Sequence, residues 1–370
     1  MEKNIAFLLV ILLILLNIIS SKPKIDKKEI LNNFDKKDFP NEKNYNLKTL
    51  AYITPWNKIG YEYIEKYSNK FDIISPTWFE LKPDEIDGEL QIILDGSNNI
   101  DSAYMKKLRN KNKNILILPR LHVGFSDMNV IETWFTKETE QFIKVLERRI
   151  KYNKFDGYVF DCFHIWFNKN LLDKFVKYFL PKIYEAMNKL NKIFILTMIP
   201  KNLNIDENGV IIDKKIFKII SKYTHYINIM TYDYQQYLKE SSNIYIAPID
   251  WIKDTINSYV DKNDKNVDSI LKKILLGIPF HGQSFQKSKN NIDKIINGPS
   301  FSQLMKKSEE FELNYYEEED EYIFENEQSK INYPIKEYIE KRLEISKELR
   351  VGGIGIWDVG NGKESMLEPF

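Results

Sequence analysis

The chain has 370 residues, 43% of them hydrophobic, and its 54 Lys and Arg against 53 Asp and Glu leave a formal charge of +1. That length and apolar content suit one large core and exclude global disorder. The balanced charge, with Lys and Asn runs scattered along the chain, offers no electrostatic footprint for a nucleic-acid partner.

The first element lies outside the fold. An apolar run from Ile5 to Leu16 follows Glu2 and Lys3, and Ser20 and Ser21 come soon after. It is shorter than the roughly 18–20 apolar residues of a membrane span, so residues 1–21 read as a signal peptide, with an uncleaved signal anchor as the alternative. The rest of the chain is then expected in the secretory lumen or outside the cell, with no other membrane association. Residues 22–47 are charged and Asn-rich, and predict a flexible tether holding at most one short helix.

From residue 48 to residue 370 short apolar runs alternate with longer stretches of helical period. Eight strand candidates emerge: LAYIT (50–54), DIISPTW (72–78), ILILP (115–119), DGYVFD (156–161), IFILTM (193–198), YINIMTYD (226–233), KILLGIP (273–279) and GGIGIWD (352–358). Their continuous apolar character fits strands buried on both faces. Between them, Phe142, Val145, Leu146 and Ile150 share one helical face, as do Phe175, Phe179, Ile183 and Met187, and the last helix presents Leu343, Ile345 and Leu349. The expected fold is α/β, a (β/α)₈ TIM barrel, with a small insertion at about 298–334 between the seventh and eighth strands. An open doubly wound sheet is disfavoured, because TPWNKIG after the first strand is no Gly-rich phosphate loop. Within the insertion, FELNYYEEEDEYIFENE (311–327) predicts a hairpin. Its acidic run, Glu317–Glu321, reads as a charged turn or as a cation site. The four histidines are isolated in sequence and no zinc-like spacing occurs, so neither metal nor cofactor is expected. Cys162 is the only cysteine, and alternation along its strand turns it away from the barrel interior.

Active sites in barrels of this kind form at the C-terminal ends of the strands. In the fourth strand, FDGYVFDCFHIW (155–166), Val159, Asp161 and Phe163 share the face that alternation sends inward. Asp161 is then a carboxyl in the barrel mouth, and Asp156 and Gly157 open the strand.

This stretch resembles the signature DGxDxDxE of the family 18 glycoside hydrolases, the chitinase family. The resemblance implies substrate-assisted catalysis. The motif's Glu protonates the leaving oxygen, and its last Asp orients the substrate N-acetyl group. Asp156, Gly157 and Asp161 match the motif, Val159 replaces its middle Asp, and Phe163 occupies the position of the catalytic Glu. Loss of a general acid typically costs about 10²–10⁴ in rate. MTYD (230–233) resembles the family's sixth-strand motif, which implies N-acetyl contacts from Tyr232 and Asp233. Trp357 resembles the Trp that floors the sugar pocket. AYITPWNKIGYEY (51–63), KFDIISPTWFELK (70–82), ILPRL (117–121), LGIPFHG (276–282) and GIGIWDVGNG (353–362) resemble a lectin-like branch of the family that lacks the catalytic Glu. That branch travels the secretory and lysosomal route. Trp56, Trp78 and Arg120 become candidate ligand contacts, and Arg120 is equally a candidate internal partner for Asp161. His164 and Trp166 are placed to line the same mouth, while Trp134 and Trp251 read as packing residues.

The expected function is therefore binding of N-acetylglucosamine-type oligosaccharides or chitin without glycosidase activity. Its location would be extracellular or a lysosome-like or vacuole-like lumen. One alternative is an active hydrolase whose acid has moved to Asp161, kept protonated by burial. The other is a protein-interaction scaffold with a vestigial pocket, meeting a receptor or sorting protein through the acidic insertion and the tether.

Overall fold

The computed structural model describes residues 26–86, 88–200, 212–234, 244–289 and 291–370; the leader lies outside the described residues. The strands in chain order are β1 (Lys48–Ile53), β2 (Ile73–Pro76), β3 (Phe79–Ile86), β4 (Glu89–Asp95), β5 (Leu116–Ile117), β6 (Arg120–Val123), β7 (Gly157–Asp161) and β8 (Ile193–Met198). They continue as β9 (Tyr226–Ile229), β10 (Ile274–Pro279), β11 (Gly282–Gln286), β12 (Asn291–Ile296), β13 (Glu312–Tyr316), β14 (Glu321–Glu325), β15 (Ser329–Asn332) and β16 (Gly353–Trp357).

All eight predicted strands are staves of one parallel barrel. β7 pairs with β8, β8 with β9, β9 with β10, β10 with β16, β16 with β1, and β1 with β2. The third stave is β5 continued by β6, interrupted where Pro119 lacks an N–H to donate. The Leu118 amide still reaches the Ile74 carbonyl at 2.9 Å, and the Pro119 carbonyl accepts from the Val159 amide at 3.1 Å. The ring thus closes through the break. Alternation sorts the side chains. Leu50, Tyr52, Ile73, Leu118, Val159, Ile195 and Leu275 fill the interior. Ala51, Ile53, Tyr158, Phe160 and Cys162 face the larger core beneath the helices. Cys162 is buried there and burial pushes its thiol up to about 12, so it is inert as a nucleophile.

The helices follow the predicted periods. Thr139–Asn153 buries Phe142, Leu146 and Ile150, and Lys336–Glu348 buries Leu343 and Ile345. The 171–190 segment is helical throughout, but a π turn at Phe175–Phe179 separates Lys169–Lys174 from Leu180–Lys189.

The Asp-Gly opening of β7 serves the fold. Asp156 Oδ2 accepts from the Arg109 guanidinium at 2.7 Å and from the Ile117 amide at 2.9 Å. Gly157 has φ +146°, and a Cβ there would lie 1.8 Å from the Ile193 carbonyl oxygen. Only glycine fits that close approach.

Four features differ from the sequence expectation. Residues 26–47 are not a free tether. Helix Lys27–Phe34 buries Ile30 and Phe34 against the barrel domain, and the Ser365 hydroxyl donates to the Phe34 carbonyl at 2.9 Å. Its apolar face spans only two turns, too few for a periodicity signal to stand out. The insertion starts earlier than 298: β11 to β15 form a five-stranded antiparallel sheet in the order β12-β11-β15-β14-β13. An additional hairpin, β3–β4, continues the second stave and pairs with β6. The acidic run is only half solvated. Asp320 and Glu321 are buried, and Arg342 reaches Asp320 Oδ2 at 2.9 Å and Glu321 Oε1 at 3.4 Å. The charges therefore pin the insertion to helix Lys336–Glu348. Among the described residues no group of His, Cys, Asp and Glu is disposed to hold a metal ion.

Two substitutions test these assignments by denaturant unfolding. Gly157→Ala should cost more than about 2 kcal/mol, from backbone strain plus the clash with Ile193. Phe34→Ala should cost about 3 kcal/mol, because Phe34 packs edge-on to Phe301 at 4.8 Å and Tyr333 at 5.6 Å. An unchanged midpoint for Phe34→Ala would return that segment to the status of a tether.

Candidate functional site

The C-terminal strand ends surround a cleft of about 550 Å³. A polar layer caps the apolar barrel interior there. His122 on β6 is in register with Asp161 on β7, and Thr197 on β8 with Asn228 on β9. The Thr197 hydroxyl bridges the two pairs by donating to Asp161 Oδ1 at 2.7 Å. Asn228 Nδ2 donates to the Tyr52 hydroxyl at 3.2 Å, while its Oδ1 has no partner among the described residues. A Cβ at Gly355 would meet that oxygen at 2.1 Å, so the glycine makes room for the amide.

Asp161 is 5% exposed and sits at the centre of this layer. Its Oδ2 accepts from the Arg120 guanidinium and lies 3.2 Å from His122 Nδ1. Burial alone would push the carboxyl up. The Arg120 charge, with the His122 and Thr197 bonds, outweighs that and holds it well below the usual carboxylate range. The idea that burial keeps Asp161 protonated is therefore wrong in direction. Of the two roles open to Arg120, internal pairing is the one observed. Its guanidinium also lies over the Trp357 indole, 5.1 Å from the ring centroid. Tyr52 meets that indole edge-on at 5.3 Å.

Trp357, Tyr232 and Asp233 all line the cleft, as the sequence suggested. Asp233 has a left-handed backbone, φ 60°, and its Oδ1 accepts from His281 Nε2 at 2.7 Å and Gln283 Nε2 at 3.2 Å. Phe163 begins a 3₁₀ turn just past β7, is 45% exposed at the cleft wall, and packs on Phe167 at 4.5 Å. His164 lines the same wall, and burial together with the His122 charge lowers its pKa.

Three candidates are placed elsewhere. Trp56 is 73% exposed and does not line the cleft, because the chain turns after β1. Trp78 is buried between β2 and β3, where its Nε1 donates to the Tyr61 hydroxyl at 2.9 Å. Trp166 is buried against Phe175. Trp134 and Trp251 are buried packing residues as expected. Among the cleft residues that the sequence reading missed are Tyr52, His122, Thr197 and Asn228. Thr197 and Asn228 had a signal, since each is a polar residue inside an otherwise apolar buried strand.

Arg120→Leu should destabilise the chain by about 3 kcal/mol at pH 7, because it strands a buried carboxylate. Without the guanidinium the Asp161 pKa rises, so the deficit should shrink as the pH is lowered and the carboxyl takes up a proton. A deficit that stays constant across pH in thermal melts would contradict the pairing.

The whole-chain comparisons agree with this architecture. The family model described as Glycosyl hydrolases family 18 matches residues 48–362. Among solved structures, a chitinase from Chromobacterium violaceum ATCC 12472 is similar with TM-score 0.68 and 15% identity, over 87% of this chain and 96% of that one. The Bacillus megaterium QM B1551 spore cortex-lytic enzyme SleL gives TM-score 0.66 and 16% identity, over 89% of this chain and 73% of that one. A mutant plant class V chitinase from Cycas revoluta, in complex with (GlcNAc)3, gives TM-score 0.68 and 15% identity over 87% and 97%. Identities this low establish likeness of fold alone. The family match spans the barrel from β1 to the turn after β16, and on that ground the chain belongs to glycosyl hydrolase family 18.

Proposed function

We propose that this chain is a chitinase-like saccharide-binding protein that holds N-acetylglucosamine-type oligosaccharides without cleaving them. The observation that carries this reading is the state of the cleft carboxylates. Hydrolysis of a glycosidic bond needs a protonated acid beside the leaving oxygen. Phe163 stands where the motif resemblance puts that acid, and a benzyl group has no proton to give. The lining carboxylates among the described residues are Asp161 and Asp233. Arg120 holds Asp161 ionised, which counts against Asp161 as a relocated donor. Asp233 is engaged by His281 and Gln283.

Binding is supported by what the cleft keeps. Trp357 offers an indole on which the apolar side of a pyranose can stack, using the face away from Arg120. Tyr232 and Asp233 stand beside it with a hydroxyl and a carboxylate, groups suited to an acetamido N–H. The (GlcNAc)3 complex of the Cycas revoluta chitinase makes such sugars the first ligands to try. Within the family, the segments at 51–63, 70–82 and 353–362 resemble chitinase domain-containing protein 1, also called stabilin-interacting chitinase-like protein. That resemblance, with the apolar leader, supports a luminal or extracellular location.

Calorimetric titration of residues 22–370 with chitotetraose, followed by recovery of the sugar, tests the reading. Saturable binding with intact sugar is expected, and Trp357→Ala should weaken it at least about tenfold, or roughly 1.4 kcal/mol. Cleaved sugar, or no binding to any N-acetylglucosamine oligomer, would overturn the proposal.

A further inference from the structure

At the opposite end of the barrel from the cleft, the chain gathers charges that the saccharide reading leaves unused. A hollow of about 660 Å³ opens among the N-terminal ends of the staves. Lys43 precedes β1, Lys48 opens it, and Lys272 stands just before β10. Lys347 lies in the last turn of helix Lys336–Glu348, and Arg350 just beyond that helix. All of these basic residues line the hollow, and among the described residues Asp72 is the one carboxylate that lines it with them.

We propose that this hollow is an anion-binding site for a small molecule carrying two or more phosphate or sulfate groups. The site is independent of the saccharide reading and lies on the other face of the barrel.

Asp72 does not balance the cations around it, because its oxygens are already engaged on one wall. Its Oδ2 accepts from the Thr49 amide at 2.8 Å, from the Thr49 hydroxyl at 3.1 Å and from the Lys43 ammonium, and its Oδ1 lies 3.5 Å from Lys48 Nζ. The facing wall is left without a counter-charge. Lys347 Nζ lies over the Tyr45 ring, 5.6 Å from its centroid. The Lys272 side chain makes no hydrogen bond or ion pair among the described residues. Arg350 pairs with Asp268 at 2.7 Å, but Asp268 stands outside the lining and both side chains are 64% exposed, so that pair holds the guanidinium weakly.

Helix ends account for part of this pattern. Lys347 and Arg350 complement the terminal carbonyls of their helix, and Lys272 does the same for helix Val267–Leu271. That explains each cation singly. It does not explain why they converge with Lys43 and Lys48 on one hollow, where like charges repel. A ligand with clustered negative charge turns that repulsion into attraction, and a lone carboxylate would meet only part of the excess. Arg350 offers a planar fork that matches a phosphate or sulfate, and the lysines offer point charges. The hollow is within the size range of small-molecule sites and larger than a bare ion needs. Leu47 and Tyr226 add apolar surface for an organic body.

Calorimetric titration of the full chain with fructose 1,6-bisphosphate tests the site, at low ionic strength where exposed charges are least screened. Saturable binding that weakens as salt is added is expected. Lys272→Glu and Lys347→Glu should each weaken it at least about tenfold. Both side chains are exposed, so the reversals leave the core intact. Lys151→Glu makes the same charge change on helix Thr139–Asn153, outside the hollow, and should change the affinity less than about twofold. Pyrophosphate separates the sources of the anion: weaker binding than the bisphosphate supports an organic ligand, and equal binding supports capture of the bare oxyanion. Amide NMR of the wild type gives a readout that needs no variant, with bisphosphate-induced shifts expected at Lys272 and Gly352. No saturable binding of either probe, an equal loss in Lys151→Glu, or shifts confined to the cleft would overturn the site.

Discussion

A carboxylate buried at the end of an apolar barrel strand has to be compensated, and the cleft is arranged around that requirement at Asp161. Arg120 is drawn inward to neutralise it, with Thr197 and His122 as further partners. The guanidinium so placed covers one face of Trp357, and Trp357 in turn meets Tyr52, which holds Asn228. One ion pair thus links six strands through their C-terminal ends. It sets the shape of the floor and holds the Asp161 carboxyl below the usual carboxylate range.

The fourth strand separates fold from chemistry within a few residues. Its start, Asp156 and Gly157, fastens the bottom of the barrel through Arg109 and through a backbone approach that no Cβ would survive. Its other end carries the groups that a hydrolase would use, and there Val159 and Phe163 are apolar. Family membership follows from the first part and from the strands around it. Activity depends on the second, and the two need not travel together.

The barrel was legible in the sequence because strands buried on both faces are written as continuous apolar runs, and each of the eight runs is a stave. Asp161, Tyr232, Asp233 and Trp357 were legible because alternation, or a motif, fixes a residue at a strand's C-terminal end. Trp56 and Trp78 were not, since both follow the last residue of a strand, where the chain turns and alternation no longer dictates direction. His281 had no local signal at all. Its partner, Asp233, lies 48 residues earlier. The packing of helix Lys27–Phe34 was hidden for the same reason, because its partners Phe301, Tyr333 and Ser365 lie at the far end of the chain. The burial of Asp320 and Glu321 was masked by their exposed neighbours Glu317 and Glu318, and it is the distant Arg342 that separates them.

The central claim is that the cleft holds a chitin-type sugar and leaves its bonds intact, and a crystal structure grown with chitotetraose tests it most directly. The account predicts an unbroken tetrasaccharide with one ring on Trp357 and its acetamido group at Asp233, with the Arg120–Asp161 pair still closed. A cleaved sugar in the cleft, or an ordered cleft with no sugar in it at saturating concentration, would contradict it.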